Sequence, residues 1–220
     1  MSKDTKNTVE PERRYFPITE IRALEEDDKL IIEGYPIVYE TYADLWGSKE
    51  IIRKGAAGPA LKRSDELVLW DHESGQPMAA KKNGTLRATE DEKGVFIRAD
   101  ESKTVWGRQG YEAIKNGIID KMSFAFDVKR EGENWIEEKF DDEKFDVREI
   151  TEFFTLYDYS PVSYPAYEDT DVQARSKDLA LRNRPQPGAS GKAGVATLEV
   201  YRDARDNLEQ MRKSTQEVVK

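Results

Sequence analysis

No cysteine occurs in these 220 residues, and only one histidine does. The first absence excludes disulfides, thiolate zinc sites and a cysteine nucleophile, and it weakly fits a reducing compartment. With a single imidazole and no spaced Asp/Asn/Gly loop, neither a metal centre nor a cofactor is expected. No apolar run approaches the roughly 20 residues of a membrane helix, and Met1-Ser2-Lys3-Asp4-Thr5 opens no signal peptide. No membrane partner and a cytoplasmic location are therefore expected. The net charge of −9 disfavours a nucleic-acid-binding face.

That charge is unevenly spread. From Ser176 onward there are nine Lys/Arg and six Asp/Glu, so this segment carries +3 and leaves −12 to the body before it. The expected organisation is a disordered 1–12, a domain over 13–175, a flexible linker over 176–194 and a helical tail over 195–220. The linker assignment rests on Arg182-Asn183-Arg184-Pro185-Gln186-Pro187-Gly188 and the residues after it. In the tail, Tyr201, Ala204, Leu208, Met211, Thr215 and Val218 alternate at spacings of three and four. Such a stripe either docks a partner or packs on its own body.

The body reads mainly as strands, with some helix. Runs at 15–24, 29–39, Ile51-Ile52, Thr85–Ala88, Val95–Ala99, Asn134–Lys139 and Asp146–Tyr157 are apolar-rich or alternate between turn signals. One helix is expected to be capped by Ser102, to present Trp106, Gly110, Ala113 and Ile114 on one face, and to stop at Gly117. A shorter helix is expected after Gly55. The prolines after Asp158 predict an edge or a loop there. Asp141-Asp142-Glu143 reads as a solvated loop, and Phe153, Phe154, Tyr157 and Tyr159 as core and rim.

The lone histidine, His72, ends an apolar run, Leu67-Val68-Leu69-Trp70-Asp71-His72, that reads as a buried strand reaching a polar turn. It is the one conventional neutral-pH base in the chain. In Met122-Ser123-Phe124-Ala125-Phe126-Asp127-Val128 the large apolar residues alternate, placing Ser123 on the other face of a half-buried strand. There is no Gly-x-Ser-x-Gly elbow and no Ser-x-x-Lys site. By pattern alone, a strand serine on a solvent face and a strand-end histidine bonded to backbone are both ordinary.

Seven short blocks, taken in order, carry a resemblance. They are Gly34-Tyr35-Pro36-Ile37-Val38-Tyr39, Ile52-Arg53-Lys54-Gly55-Ala56, Leu69-Trp70-Asp71-His72-Glu73, Gly84-Thr85-Leu86, Gly94-Val95-Phe96, Lys121-Met122-Ser123-Phe124-Ala125-Phe126, and Tyr159-Ser160-Pro161-Val162 with Tyr164-Pro165-Ala166. Over about residues 15–175 the chain resembles the prohead, or capsid maturation, serine proteases of tailed bacteriophages. The resemblance implies a fold related to the herpesvirus maturation proteases, a compact β-barrel ringed by a few helices. It also implies that His72 is the base and Ser123 the nucleophile. Asp158 matches the position where the phage family commonly has an acidic residue, usually Glu. Asp71 competes for that role, but adjacent strand residues face opposite ways. Arg148 is either an aid to the oxyanion or a solvated charge. The implied activity is a serine endopeptidase that cleaves the major capsid protein's scaffold segment, or a separate scaffold protein, and also itself. It would act inside the immature head in the host cytoplasm, and the resemblance to herpesvirus-type relatives, which dimerise, adds a homo-oligomer to the partners it implies. A noncatalytic head-assembly module with a protease-like body is the alternative.

Overall fold

The computed structural model describes residues 11–15, 21–45, 47–163, 180, 181 and 184. Expectations for the first ten residues, for 16–20, for Tyr164-Pro165-Ala166 and for the tail helix lie outside the described residues. In chain order the elements are β1 (Glu12–Tyr15), β2 (Ile21–Glu26), β3 (Lys29–Val38), β4 (Tyr42–Leu45), β5 (Ser48–Ile52), α1 (Gly58–Arg63), β6 (Leu67–Leu69) and β7 (Pro77–Ala80). They continue with β8 (Leu86–Glu90), β9 (Gly94–Asp100), α2 (Val105–Lys115), β10 (Met122–Asp127), β11 (Glu133–Phe140), β12 (Glu143–Ile150) and β13 (Thr155–Pro161). The protein is mainly β, as the alternating runs predict.

The strands form three sheets, ordered β1-β10-β13-β6-β7, β11-β12-β5-β4 and β2-β3-β9-β8. Among the described residues they do not close into one barrel, which corrects the barrel that the resemblance implied. The second and third sheets are built largely from hairpins, whose short turns keep sequence neighbours paired. The first sheet gathers strands far apart in the chain, and β13 runs parallel to β6 inside it. The chain divides into two units, residues 1–184 and 185–220. Ala180 is buried, and the Arg184 Nε donates to Asp146 Oδ2 at 2.8 Å.

Several local expectations change. The run at 146–157 is two strands, β12 and β13, separated by a loop over 151–154. The segment after Asp158 is not at an edge: β13 lies between β10 and β6, and Pro161 is tolerated because it is the strand's last residue. The helix α2 is capped by Thr104, not Ser102, whose position falls in a 3-10 turn over Glu101–Lys103. The Thr104 backbone is extended, and its Oγ accepts from Gly107 N at 2.8 Å. The helix buries Gly107, Gly110, Tyr111 and Ile114, while Trp106 is among the exposed apolar residues. Gly117 ends it as expected, with a φ of 68°. Phe153 and Tyr159 are core, and Phe154 and Tyr157 lie at the rim.

The 3-10 turn carries an unusual group. Glu101 is fully buried, and neither of its carboxyl oxygens has a hydrogen-bond partner among the described residues. Gly107 is required beside it, since a Cβ there would stand 2.4 Å from the Glu101 carbonyl oxygen. Burial, with a smaller push from Asp100, raises the Glu101 pKa from 4.5 to about 8. The folded state thus holds a proton that the unfolded chain releases, and the group costs stability as pH rises from about 4.5 to about 8. Glu101→Met removes both unpartnered oxygens at similar volume. It is expected to stabilise the protein, by at most about 5 kcal/mol at pH 8 and little at pH 4.5. Urea unfolding at the two pH values reads this directly, and an equal gain at both would refute the titration.

Candidate active site

The alternation of β10 and β13 builds this site. Met122, Phe124 and Phe126 point into the core, where Phe124 and Phe126 stack at 5.0 Å and Phe153 packs edge-on against both. The opposite face of β10 carries Ser123 and Ala125, small residues that leave room for a neighbour's side chain. Contrary to a half-buried strand, β10 is covered on both faces, and Ser123 is only 6% exposed. In register across from Ser123 lies Ser160, and across from Ala125 lies Asp158. A bulge after Ala125 skips Tyr157, so Phe126 meets Leu156. Leu156 would otherwise share Asp158's face; the extra residue turns it into the core.

His72 arrives from the next strand over. The strand β6 ends at Leu69, earlier than the sequence suggests, and Asp71 and His72 follow with φ values of 49° and 60°. Two successive left-handed non-glycine residues cost on the order of 1–3 kcal/mol each, so the surroundings must hold them. Asp71 N donates to Pro161 O at 3.1 Å, and the Asp71 carboxylate accepts from Ser163 N and Oγ at 2.9 and 2.8 Å. These bonds tie the turn to the end of β13. They also explain why Asp71 is not the partner of His72. The opposite-face argument does not apply, since neither residue is on a strand; Asp71 is instead engaged with Ser163.

The imidazole bridges the other two residues. His72 Nδ1 lies 2.6 Å from Asp158 Oδ1, and Nε2 lies 2.6 Å from Ser123 Oγ. The His72 and Asp158 side chains are 7% and 8% exposed. An ionised carboxylate only accepts, so Nδ1 carries the proton and Nε2 is left as an acceptor for the serine hydroxyl. This arrangement can take the proton of Ser123 Oγ as the oxygen attacks a carbonyl carbon. Asp158 reaches the imidazole despite being one methylene shorter than Glu, because β13 lies between the strands that supply the other two groups.

Two contacts are absent from the sequence reading. Ser160 is fully buried, and its Oγ donates to Asp158 Oδ1. Ser123 Oγ also lies 2.9 Å from the backbone oxygen of Arg14 on β1. The i, i+2 spacing of Asp158 and Ser160 was a usable signal for the first; a backbone acceptor leaves none. Arg148 corrects both readings offered for it. It is 1% exposed and donates to Glu133 from Nε, to Glu12 and Glu50 from Nη1, and to Glu12 from Nη2. No group of three or more His, Asp or Glu able to hold a metal ion occurs among the described residues.

Residues 18–185 match the family described as Caudovirus prohead serine protease. The chain belongs to that family. It is accordingly a peptidase of phage head maturation, and His72, Ser123 and Asp158 all fall within the matched span. The structure is also similar to that of the bacteriophage T4 capsid assembly protease, gp21, at 14% identity and a TM-score of 0.43, over 70% of this chain and 98% of that one. No curated protein matches the chain.

Proposed function

We propose that this prohead protease is a serine endopeptidase in which Ser123 is the nucleophile, His72 the general base and Asp158 the carboxylate that orients the imidazole. The supporting observation is the unbroken chain Ser123 Oγ, His72 Nε2, His72 Nδ1, Asp158 Oδ1, with both links at 2.6 Å. Ser123 Oγ adds to the scissile carbonyl carbon while its proton passes to Nε2. The same proton then goes to the departing amine as the peptide C–N bond breaks, leaving an acyl-enzyme. Water repeats the sequence, with His72 first as base and then as acid, and frees the serine. Asp158 fixes the tautomer throughout and stabilises the imidazolium.

The substrate in this reading is the scaffold protein, or the scaffold-like segment of the major capsid protein, inside the prohead, together with the protease itself. In this reading the apolar stripe from Tyr201 to Val218, in the tail over 195–220, is the docking element. Intact-mass measurement of wild type and Ser123→Ala, each incubated alone and with the capsid protein at neutral pH, tests this. Fragments from wild type alone support it. Binding of both proteins without any change of mass would favour a noncatalytic assembly module.

Ser160 is a positioning residue in the same proposal, acting through Asp158. Ser160→Ala is expected to lower kcat about ten-fold, the worth of one hydrogen bond to a charged group, and to leave KM unchanged. Ser160→Thr keeps the hydroxyl and restores most of the rate; a merely structural role would not separate the two variants.

A further inference from the structure

Among the described residues the strand β1 is an edge strand, paired in its sheet with β10 alone. It pairs antiparallel, with Tyr15 across from Ser123 and Arg14 across from Phe124. This register brings the Arg14 carbonyl oxygen to 2.9 Å from Ser123 Oγ. The serine hydroxyl has one proton and, in this arrangement, two acceptors, Arg14 O and His72 Nε2. A proton directed at Arg14 O is not available to His72, so the contact opposes activation of the serine.

The way β1 is held suits a strand that leaves. Its sequence, Glu12-Arg13-Arg14-Tyr15, adds no residue to the hydrophobic core. Its anchors are charges: Arg14 donates to Glu50 and Glu12, and Glu12 accepts from Arg148. Glu12 and Arg14 are of opposite sign, so their departure leaves the net charge of the cluster unchanged. Glu50 and Glu133 keep their bonds to Arg148. Charges exposed in this way regain hydration, whereas an exposed apolar strand would not. The family match, moreover, begins at residue 18, beyond β1.

We propose that the outer edge of β10, beside Ser123, is where an extended peptide docks, and that Glu12–Tyr15 hold this edge in the resting chain until a substrate strand displaces them. The inference rests on the serine-protease reading above. Backbone pairing to a free strand edge accepts many sequences, which suits a protease that must cut extended segments of other chains.

The test is a reversible crosslink. Arg13 and Ala125 are cross-strand partners, about 4.5–5.5 Å apart at Cα in such a pair and within disulfide range. With no native cysteine, R13C/A125C forms one bridge only. Full-length double variant, oxidised and reduced, is treated with a fluorophosphonate, and phosphonylation of Ser123 is followed by intact mass. Labelling at least ten-fold slower when oxidised, and restored by reductant, supports the proposal. Equal rates in the two states overturn it while leaving the nucleophile assignment standing. No label in wild type removes that assignment and this inference with it.

Hydrogen exchange on wild type gives a second measurement, independent of whether the variant folds. Amides of Arg13–Tyr15 are expected to exchange faster than those of β13, and faster still once Ser123 is phosphonylated. Protection equal to that of β13 in both states would overturn the proposal.

Discussion

Ser123→Ala and His72→Ala are each expected to abolish processing, with kcat falling by roughly 10⁴–10⁶ and the fold retained. The proposed roles are sequential parts of one proton transfer, so removing either removes the whole route, and the double variant is expected to be no worse than either single one. Asp158→Ala is expected to cost less, because the imidazole can still accept a proton when its tautomer is no longer enforced. Single-turnover cleavage of the capsid protein, normalised to protein folded by circular dichroism, measures all four. A Ser123→Ala protein that still cleaved would end the nucleophile assignment. Equal rates for Asp158→Ala and wild type would show that the 2.6 Å bond to His72 has no catalytic consequence.

The largest loss of stability is expected at Arg148→Met. Arg148 sits among Glu12, Glu50 and Glu133, all buried, and among the described residues Arg14 is the other cation of the cluster. Burial alone would lift the Glu50 pKa, but Arg14 and Arg148 overcome it and hold the carboxyl below its ordinary value. Such a group contributes stability above its unfolded pKa, near 4.5, and loses it as pH falls through the lower folded value. Removing Arg148 leaves, among the described residues, three carboxylates with one cation. Breaking a buried pair in this way costs about 3–5 kcal/mol, a large part of a domain's total stability of roughly 5–15 kcal/mol. Urea unfolding at pH 7 is expected to show this loss. The deficit narrows toward pH 4, where protonation relieves the uncompensated carboxylates. A loss below about 1 kcal/mol at pH 7 would mean that the cluster adds little to stability.

The sequence readings failed where an element's environment, rather than its pattern, decided the outcome. Arg148 looked like any surface arginine, because an i, i+2 pattern on β12 cannot say that β1 and β5 will bring Glu12 and Glu50 to it. The piece after Asp158 looked like an edge because of its prolines, yet Pro161 only terminates a central strand. His72 looked like the last residue of a strand, and the left-handed turn that lifts it over β13 has no glycine to announce it. The cap of α2 moved two residues because both Ser102 and Thr104 are cap-forming residue types, and the chain at Ser102 is taken up by the 3-10 turn over Glu101–Lys103.

What the sequence by itself determined is the chemistry available and the local periodicity. One histidine, no cysteine, and a serine alternating with large apolar residues are properties of composition and spacing, and no fold can change them. The order of the first sheet, with β13 between β10 and β6, was decided only in three dimensions. It brings together residues separated by 51 and 86 positions, Ser123 and Asp158, around His72. So was the placement of β1 against Ser123, at a separation of 109. Pairing between strands far apart in the chain is selected by what they bury together, and that sum is not a property of any one segment.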